Sequence, residues 1–366
     1  MRERQLIGGE LRGTVSDAAL VQPQLAWWSK SEDLRLASVR MRAGLLMPML
    51  AQRGIASAWF KAQDASRYRC VVVSKRYDDD TVSQLRRFKR HGGRLVLDLC
   101  DNDFLPRSQQ EQHLHHVENL RLLATLADAI VTSSEPLARV VARECPTAST
   151  AVVISEMPDD PSIVGTSLWD SAWSRWAIAR EQAHLNRVAP AGVARLLWFG
   201  NANKRDQQNW GMGELARIVP MLVDLNRVFP LHLTVISNNA RRFREDVAVL
   251  MPSSRYIRWR PSTVEAILRM QHIALIPAQP NEFTACKSDN RVVTALRAGL
   301  AVVADPVPSY APYAEVIQLG EMEAGLRRYL SDPHRRSVDA SRGQALVAQS
   351  GYADRVLTKW LDVLAL

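Results

Sequence analysis

The chain has 366 residues, of which 47% are hydrophobic and 23% are charged, and this composition is typical of a protein with a folded core. Its length fits two domains of ordinary size, and no apolar run approaches the ~18 residues that a membrane-spanning helix needs. The four cysteines are far apart and form no paired motif, so we expect neither disulfides nor a metal site. No apolar stretch follows the basic residues at the N-terminus, which predicts a cytoplasmic protein and leaves peripheral membrane association open.

The formal net charge of +9 at pH 7 calls for an anionic partner. A phosphorylated substrate, an anionic membrane surface and a nucleic acid each satisfy that requirement. The arginines, however, are spread along the chain without the aromatic interleaving that is typical of nucleic-acid motifs. The charge alone leaves all three partners open.

Strand and helix patterns alternate through the first half of the chain. Apolar and β-branched runs predict strands at 34–39, 70–79, 94–104, 129–134 and 151–155. Amphipathic spacing predicts helices between them, at 45–54, 81–91 and 117–126 and from Glu135 onward. This alternation is the signature of a parallel, doubly wound sheet.

Charged side chains collect where two of these strands end. The third strand carries four polar residues at its C-terminal end, namely Asp98, Asp101, Asn102 and Asp103. Carboxylates at a strand exit belong to a cleft, to the cap of the next helix, or to both. Arg40 and Arg42 follow the first predicted strand, in the kind of loop where open α/β sheets bind ligands. They are candidates for the acceptor or phosphate side of a site, with ordinary surface arginines as the alternative.

A turn-rich segment and one helix interrupt the alternation at 156–192. Trp169, Trp173 and Trp176 recur there at i, i+4 and i+7, so they form one helical stripe. We interpret the stripe as core or interdomain packing, and a membrane-surface stripe is the alternative. The segment predicts a boundary between an N-terminal domain at 1–160 and a second domain at 193–348, with the linker and helix at 161–192 between them.

The second half restarts the alternation. A strand ends at Gly200, and further strands are predicted at 231–237, 256–259, 273–278, 301–305 and 315–319. The last helix, from Tyr352 to Leu366, has an apolar side that must dock on another part of the protein. Two successive α/β domains, followed by a C-terminal helix at 349–366, are therefore predicted.

The stretch from Lys287 to Tyr313 combines a polar cluster, a helix, a tight turn and a buried strand. Ser288 or Asp289 is predicted to cap the helix, and Gly299 stands where it would end. Backbone N–H groups at such a helix start, flanked by Lys287 and Arg291, form a ready site for a phosphate. A solvated, well-capped helix start is the alternative interpretation.

These features together resemble the GT-B glycosyltransferases, and within them the family 4 type that uses nucleotide-diphosphate sugars. The resemblance rests on two Rossmann-like domains, the strand that ends in Phe199-Gly200, and the segment GLAVVAD at 299–305, which is similar to the family's GLPVVAS-like segment. It implies two doubly wound domains that face a cleft. It also implies that the second domain holds the donor and that the last helix crosses back to the first domain.

The resemblance also indicates residues. The family's glycine loop falls on Gly200 and Asn201, and its two glutamates would fall at Cys286 and Thr294, so that motif is absent in its usual form. Glu282 is then a partial substitute, and cations take more of the diphosphate charge. The donor-binding candidates are Gly200, Asn201, Asn203, Lys204, Glu282, Lys287, Ser288, Asn290 and Arg291.

For catalysis, Asp101 or Asp103 would orient an acceptor hydroxyl or accept its proton. The implied activity is metal-independent transfer of a hexosyl group with retention, from a nucleotide sugar to a saccharide or other hydroxyl acceptor, in cell-surface saccharide or glycan synthesis. No bound cofactor is expected. A catalytically idle GT-B-like binding or scaffold protein, a glycosyltransferase acting on nucleic acid, and an epimerase or nucleotide-binding regulator remain alternatives.

Overall fold

The computed structural model describes residues 23–105, 111–165, 168–202, 211–349 and 351–365. Six parallel strands form a first sheet, in the order β2-β1-β3-β4-β5-β6. Their bounds are Leu25–Ser29 (β1), Ser57–Trp59 (β2), Cys70–Ser74 (β3), Arg94–Leu99 (β4), Ala129–Thr132 (β5) and Ala151–Val153 (β6). Six more parallel strands form a second sheet, in the order β12-β11-β10-β7-β8-β9. Their bounds are Ala194–Phe199 (β7), Leu231–Ser237 (β8), Ser254–Arg258 (β9), Ile273–Ile276 (β10), Ala301–Ala304 (β11) and Gln318–Leu319 (β12).

The α-helices connect the strands and cover both faces of each sheet. In the first half they are Ala37–Val39 (α1), Leu46–Gln52 (α2), Asp79–Arg90 (α3), Glu111–Leu126 (α4) and Glu135–Glu144 (α5), with a π-helical turn at Arg40–Gly44 between α1 and α2. The connecting helix is Leu168–Val188 (α6). The second half contains Met212–Asn226 (α7), Ala240–Phe243 (α8), Val264–Leu268 (α9), Asn290–Arg297 (α10), Met322–Ser331 (α11), Pro333–Gln349 (α12) and Tyr352–Leu364 (α13). The predicted α/β class with two doubly wound sheets is confirmed.

The first strand lies earlier in the chain than we predicted. Residues 34–39 form a turn and helix α1, whereas β1 is the segment LAWWS at Leu25–Ser29. Trp27 and Trp28 are buried within this strand. A central parallel strand is covered on both faces, so its residues read as a continuous apolar run rather than an alternating one.

The C-terminal helix α13 packs on the first sheet and completes its core. Trp360 is fully buried, and its ring meets that of Trp27 edge to face, with the ring centroids 5.2 Å apart. Val356, Leu357 and Leu364 belong to the same cluster. Truncating one large core aromatic typically costs about 3 to 5 kcal/mol, so this helix contributes substantially to the stability of the first domain.

The packing predicted for the tryptophan stripe of α6 is wrong. Trp169, Trp173 and Trp176 are 87%, 39% and 56% exposed. The packed face of the helix is a different one, formed by Ser174, Glu181 and Leu185. It is fixed by a hydrogen bond from Ser174 to Ser262 and by an ion pair from Glu181 to Arg255, so the tryptophans point outward. Within the part of the chain that the structure describes, no helix is long and apolar enough to cross a bilayer.

Candidate functional site between the two sheets

The carboxyl ends of the two sheets face each other, and cross-domain hydrogen bonds and an ion pair join them. Lys287 Nζ lies 2.5 Å from Asp101 Oδ1, and Ser288 Oγ donates to Glu156 Oε2 over 2.6 Å. Ser134 Oγ donates to the carbonyl of Cys286, and Asn102 donates to the carbonyl of Glu282. The contacting residues follow β4, β5 and β6 on one side and β10 on the other. The predicted site residues of the two domains therefore meet across one cleft.

Asp101 is held between two ammonium groups. Its carboxylate accepts from Lys75 and from Lys287, one from each domain. Burial alone would raise the pKa of Asp101, but the charges of Lys287 and Lys75 lower it well below its usual value. Lys75 itself has a left-handed backbone with φ of 54°, which is uncommon for a residue with a side chain and is often found at functional sites. In this state Asp101 is ionised and is a weak base.

Asp103 is held within the first domain. The hydroxyl of Tyr77 donates to Asp103 Oδ2 over 2.8 Å. Burial raises the pKa of Tyr77, and the negative charge of Asp103 raises it further. A catalytic role for Asp101 or Asp103 stays a prediction, and the structure adds that both carboxylates have partners.

Sequence reasoning missed Glu156, which lies three residues after β6 and faces the start of α10. Its Oε2 accepts from Ser288 Oγ and, over 3.1 Å, from Asn290 Nδ2. Burial raises the pKa of Glu156 above its ordinary value. The sequence predicted the segment that contains it only as turn-rich. The rule that polar residues at the carboxyl ends of parallel strands line a cleft would have found it.

The start of α10 is not capped as predicted. Neither Ser288 nor Asp289 accepts a hydrogen bond from the first turn, and no other described side chain does so. Ser288 instead donates to Glu156, and the carboxylate of Asp289 accepts from Tyr313 over 2.6 Å and from Tyr352 over 3.3 Å. Because those side chains are drawn away, backbone N–H groups at the helix start remain available to an anion. Gly299 stands just past the helix end, with φ of 78°, as predicted.

Arg291 extends from the first turn of α10 to the strand exit at Gly200. A Cβ atom at residue 200 would lie 2.5 Å from Arg291 Nη2, so a side chain at this position would push the guanidinium group aside. The guanidinium carbon lies 5.4 Å from the centroid of the Trp198 ring. Among the described residues it has neither an ion pair nor a hydrogen bond. Burial lowers the pKa of Arg291, and the charge of Glu214 opposes this shift only in part.

The remaining donor-binding candidates take different positions. Asn201 is exposed and accepts a hydrogen bond from Asn238, whereas Asn203 and Lys204 lie outside the described residues. The side chain of Glu282 is 61% exposed and lies 3.6 Å from Arg143 of the first domain. Cys286, which stands at one family glutamate position, is buried.

Arg40 and Arg42 are both buried and well partnered. Arg40 forms a two-point ion pair with Asp159, at 2.7 and 2.8 Å, and lies over the ring of Trp259 in the second domain. Arg42 pairs with the fully buried Asp98, and it donates to the carbonyl of Ile154 over 2.8 Å. Through these contacts both arginines stabilise the folded protein. An acceptor or phosphate role for them stays a prediction.

The sequence and the fold of this chain were compared with those of known proteins. No protein-family model and no curated protein matches the sequence. Solved structures do match. The Anabaena protein Alr3699/HepE, in complex with UDP and glucose, is 14% identical with a TM-score of 0.62, covering 94% of this chain and 99% of that one. A sucrose-phosphate synthase from Thermosynechococcus elongatus is 11% identical with a TM-score of 0.66, covering 93% and 99%. An α,α-trehalose-phosphate synthase (UDP-forming) from Burkholderia vietnamiensis is 11% identical with a TM-score of 0.59, covering 94% and 99%.

At such low identity the likeness concerns the fold alone. It extends over both sheets and the helices between them, and over nearly the whole length of each of these three structures. The chain therefore has the GT-B fold that its sequence pattern predicts.

Proposed function

We propose that the protein is a glycosyltransferase that moves a sugar from a uridine-diphosphate donor to an acceptor hydroxyl. The proposal is supported mainly by the environment of the Arg291 guanidinium group. A partly buried guanidinium group stands between the Gly200 strand exit and the uncapped start of α10, with neither an ion pair nor a hydrogen bond among the described residues. Burying a cation without a partner is unfavourable, so such a site favours an anionic ligand. The choice of UDP rests on the ligands of the structures with the same fold.

The diphosphate would lie against Arg291 and the N–H groups of α10. The planar guanidinium can bond two phosphate oxygens at once, and the helix dipole adds to the attraction. Lys287 lies nearby but is bound to Asp101 and stacks over the ring of Phe283, 4.1 Å from its centroid. A bound diphosphate would compete with Asp101 for this ammonium group.

That competition links donor binding to the chemistry. While Lys287 and Lys75 both hold Asp101, the carboxylate is a poor base. Transfer of Lys287 to the phosphates would remove one of these charges and raise the pKa of Asp101. The acceptor hydroxyl would then give its proton to Asp101, or to Asp103. Its oxygen would bond to the anomeric carbon from the face that the diphosphate leaves, as retention requires, while the bond from that carbon to the diphosphate oxygen breaks.

The leaving nucleoside diphosphate would carry away the electron pair, with its charge balanced by Arg291, Lys287 and backbone N–H groups. Because these cations act where a metal ion acts in other diphosphate sites, we propose that activity needs no added divalent metal. The same proposal includes hexosyl transfer with retention at the anomeric carbon. It also includes a closer relationship to family 4 and a cytoplasmic role in glycan synthesis. They rest on the sequence resemblance.

An idle GT-B-like binding protein is a second candidate. It is favoured by Cys286 and Thr294, which stand where the family has its two glutamates. Such a protein would keep the phosphate site around Arg291 and bind nucleotide without transferring sugar. A nucleic-acid acceptor would follow from the net charge of +9 alone.

Two measurements on the purified protein test the proposal. Calorimetric titration with UDP and UDP-glucose should show saturable binding, and incubation of UDP-glucose with a pool of sugar acceptors should release UDP, with and without EDTA. Binding without UDP release across varied donors and acceptors would favour the idle protein. Absence of binding to any nucleoside diphosphate or its sugar conjugate would overturn both candidates. Affinity for duplex DNA that falls steeply with salt would support the nucleic-acid alternative.

A further inference from the structure

The outward face of α6 carries a row of exposed tryptophans. Trp169, Trp173 and Trp176 lie on one side of the helix because residues three and four apart are neighbours on its surface. They are 87%, 39% and 56% exposed, although tryptophan is normally among the more buried residues. A contiguous exposed apolar group of this kind marks an interaction surface.

Arginines continue and flank the same row. Arg180 and Arg187 follow Trp176 at helical spacing, so aromatic side chains occupy the first half of the row and cations the second. The guanidinium carbon of Arg180 lies 5.1 Å from the Trp176 ring centroid, and that of Arg260 lies 4.3 Å from the Trp173 ring centroid. All three arginines are exposed.

The acidic side chains of α6 lie away from this row. Asp170 and Glu181 are about a quarter turn or more around the helix from it. Glu181 is buried and paired with Arg255. The row therefore presents indole rings and positive charge together, without a carboxylate in its line.

We propose that this row, from Trp169 to Arg187, docks the protein onto an anionic phospholipid surface. Charge complementarity identifies the occupant, because the exposed arginines of the row add to a chain charge of +9 and face lipid headgroups of opposite sign. Indole rings suit the boundary between headgroups and acyl chains, since each has an apolar body and one polar N–H.

The shape of the surface favours lipid over a protein partner. The row lies along a single helix and spans about 27 Å, at 1.5 Å per residue. A strongly exposed ridge of this kind gives a rigid protein little complementary area, whereas lipids rearrange around it. The helix is fixed to the second domain through Ser262 and Arg255, so docking would hold that domain at the membrane. This inference does not depend on the sugar-transfer proposal.

Co-sedimentation with sucrose-loaded vesicles tests the inference. The full chain should pellet with vesicles of equal parts phosphatidylglycerol and phosphatidylcholine, and much less with phosphatidylcholine alone. The Trp169→Ser/Trp176→Ser double variant should weaken binding by about tenfold or more, because two large apolar side chains are removed from the lipid contact. Arg180→Gln and Arg187→Gln should each weaken it about fivefold, and added salt should reduce the effect.

The matched control is the Val228→Ser/Leu250→Ser double variant, which removes two side chains that are 66% and 51% exposed elsewhere on the second domain. It should bind vesicles like the unmodified protein. Far-ultraviolet circular dichroism establishes that all variants fold, as expected for exposed positions. Failure of the unmodified protein to bind anionic vesicles, or equal binding by the tryptophan variant, would overturn the proposal. A stable dimer in solution that the tryptophan variant dissolves would instead assign the row to a second copy of the chain.

Discussion

The two sides of the cleft differ in whether their charged side chains form ion pairs. On the first-domain side, the described charges that were predicted to act are paired: Asp101 with two lysines, Arg40 with Asp159, and Arg42 with Asp98. On the second-domain side, Arg291 has neither an ion pair nor a hydrogen bond among the described residues. A strand exit rich in charge is thus not equivalent to a binding site. The cation without an ion pair or a hydrogen bond is the better indicator of a ligand, because its desolvation is offset only in part within the protein.

The largest expected effect comes from breaking a pair on the first-domain side. Arg42→Ala should lower the free energy of unfolding by about 3 to 5 kcal/mol, because it leaves the carboxylate of Asp98 buried and uncompensated. Urea denaturation at neutral pH measures this loss. The control is Arg227→Ala, which removes an exposed pair with Asp224 and should cause no measurable change. A loss no greater than that of the control would show that Arg42 is not structural.

The opposite result is expected at Arg291. Arg291→Ala should weaken UDP binding about ten- to a hundredfold, since a charge-assisted contact to phosphate contributes roughly 1.5 to 3 kcal/mol. Stability should be unchanged or slightly increased, because the partly buried cation has no ion pair or hydrogen bond to lose. Calorimetric titration measures the affinity, and Arg327→Ala, on the exposed side of α11, is the control. Unchanged affinity in the Arg291 variant would move the donor site elsewhere.

Asp101→Asn should change donor binding and turnover in opposite directions. Removing the carboxylate frees Lys287 for the diphosphate, so UDP should bind about fivefold more tightly if the pair contributes about 1 kcal/mol. Turnover should fall if Asp101 accepts the acceptor proton. Calorimetry and UDP-release assays on the same preparation give both values. Weaker UDP binding would contradict the competition between Asp101 and phosphate for Lys287.

The smallest effect concerns Glu156, which bridges the two sides. Burial raises its pKa in the folded protein above the value in the unfolded chain. The native state therefore holds this proton to higher pH, and the contribution of Glu156 to stability is present at low pH and falls as pH rises through the folded pKa. Glu156→Gln keeps an acceptor for Ser288 and should raise the melting temperature relative to the unmodified protein at pH 7.5, with a smaller difference at pH 4.5. An equal difference at both values would mean that the group does not titrate in this range.

The sequence predicted the local features of the second domain better than the contacts across the cleft. Gly200 and the helix after Lys287 are local features. A glycine at a strand exit and a polar helix start can be recognised from neighbouring residues in the sequence alone. The pairing of Asp101 with Lys287 joins residues 186 positions apart, and no local pattern reports it. For the same reason the cap predicted at Ser288 failed, since the competing acceptor is the distant Glu156.

Two other errors have one cause. The first strand was placed at 34–39 and the tryptophans of α6 in the core because apolar spacing shows which residues could be buried, but not what covers them. LAWWS lacks the alternation expected of a half-exposed strand, since both of its faces are covered. In α6 the covered face is chosen by Ser262 and Arg255, which a pattern of apolar residues does not include.

The crossing of α13 onto the first sheet also constrains how the protein is made. During synthesis, β6 leaves the ribosome about 200 residues ahead of the helix that buries Trp27 and its neighbours. At elongation rates of roughly 5 to 20 residues per second, this interval lasts on the order of 10 to 40 seconds. One apolar face of the first sheet lacks this part of its cover throughout that time. The nascent chain is therefore a natural client for chaperones, and the first domain reaches its native packing only after the second has been translated.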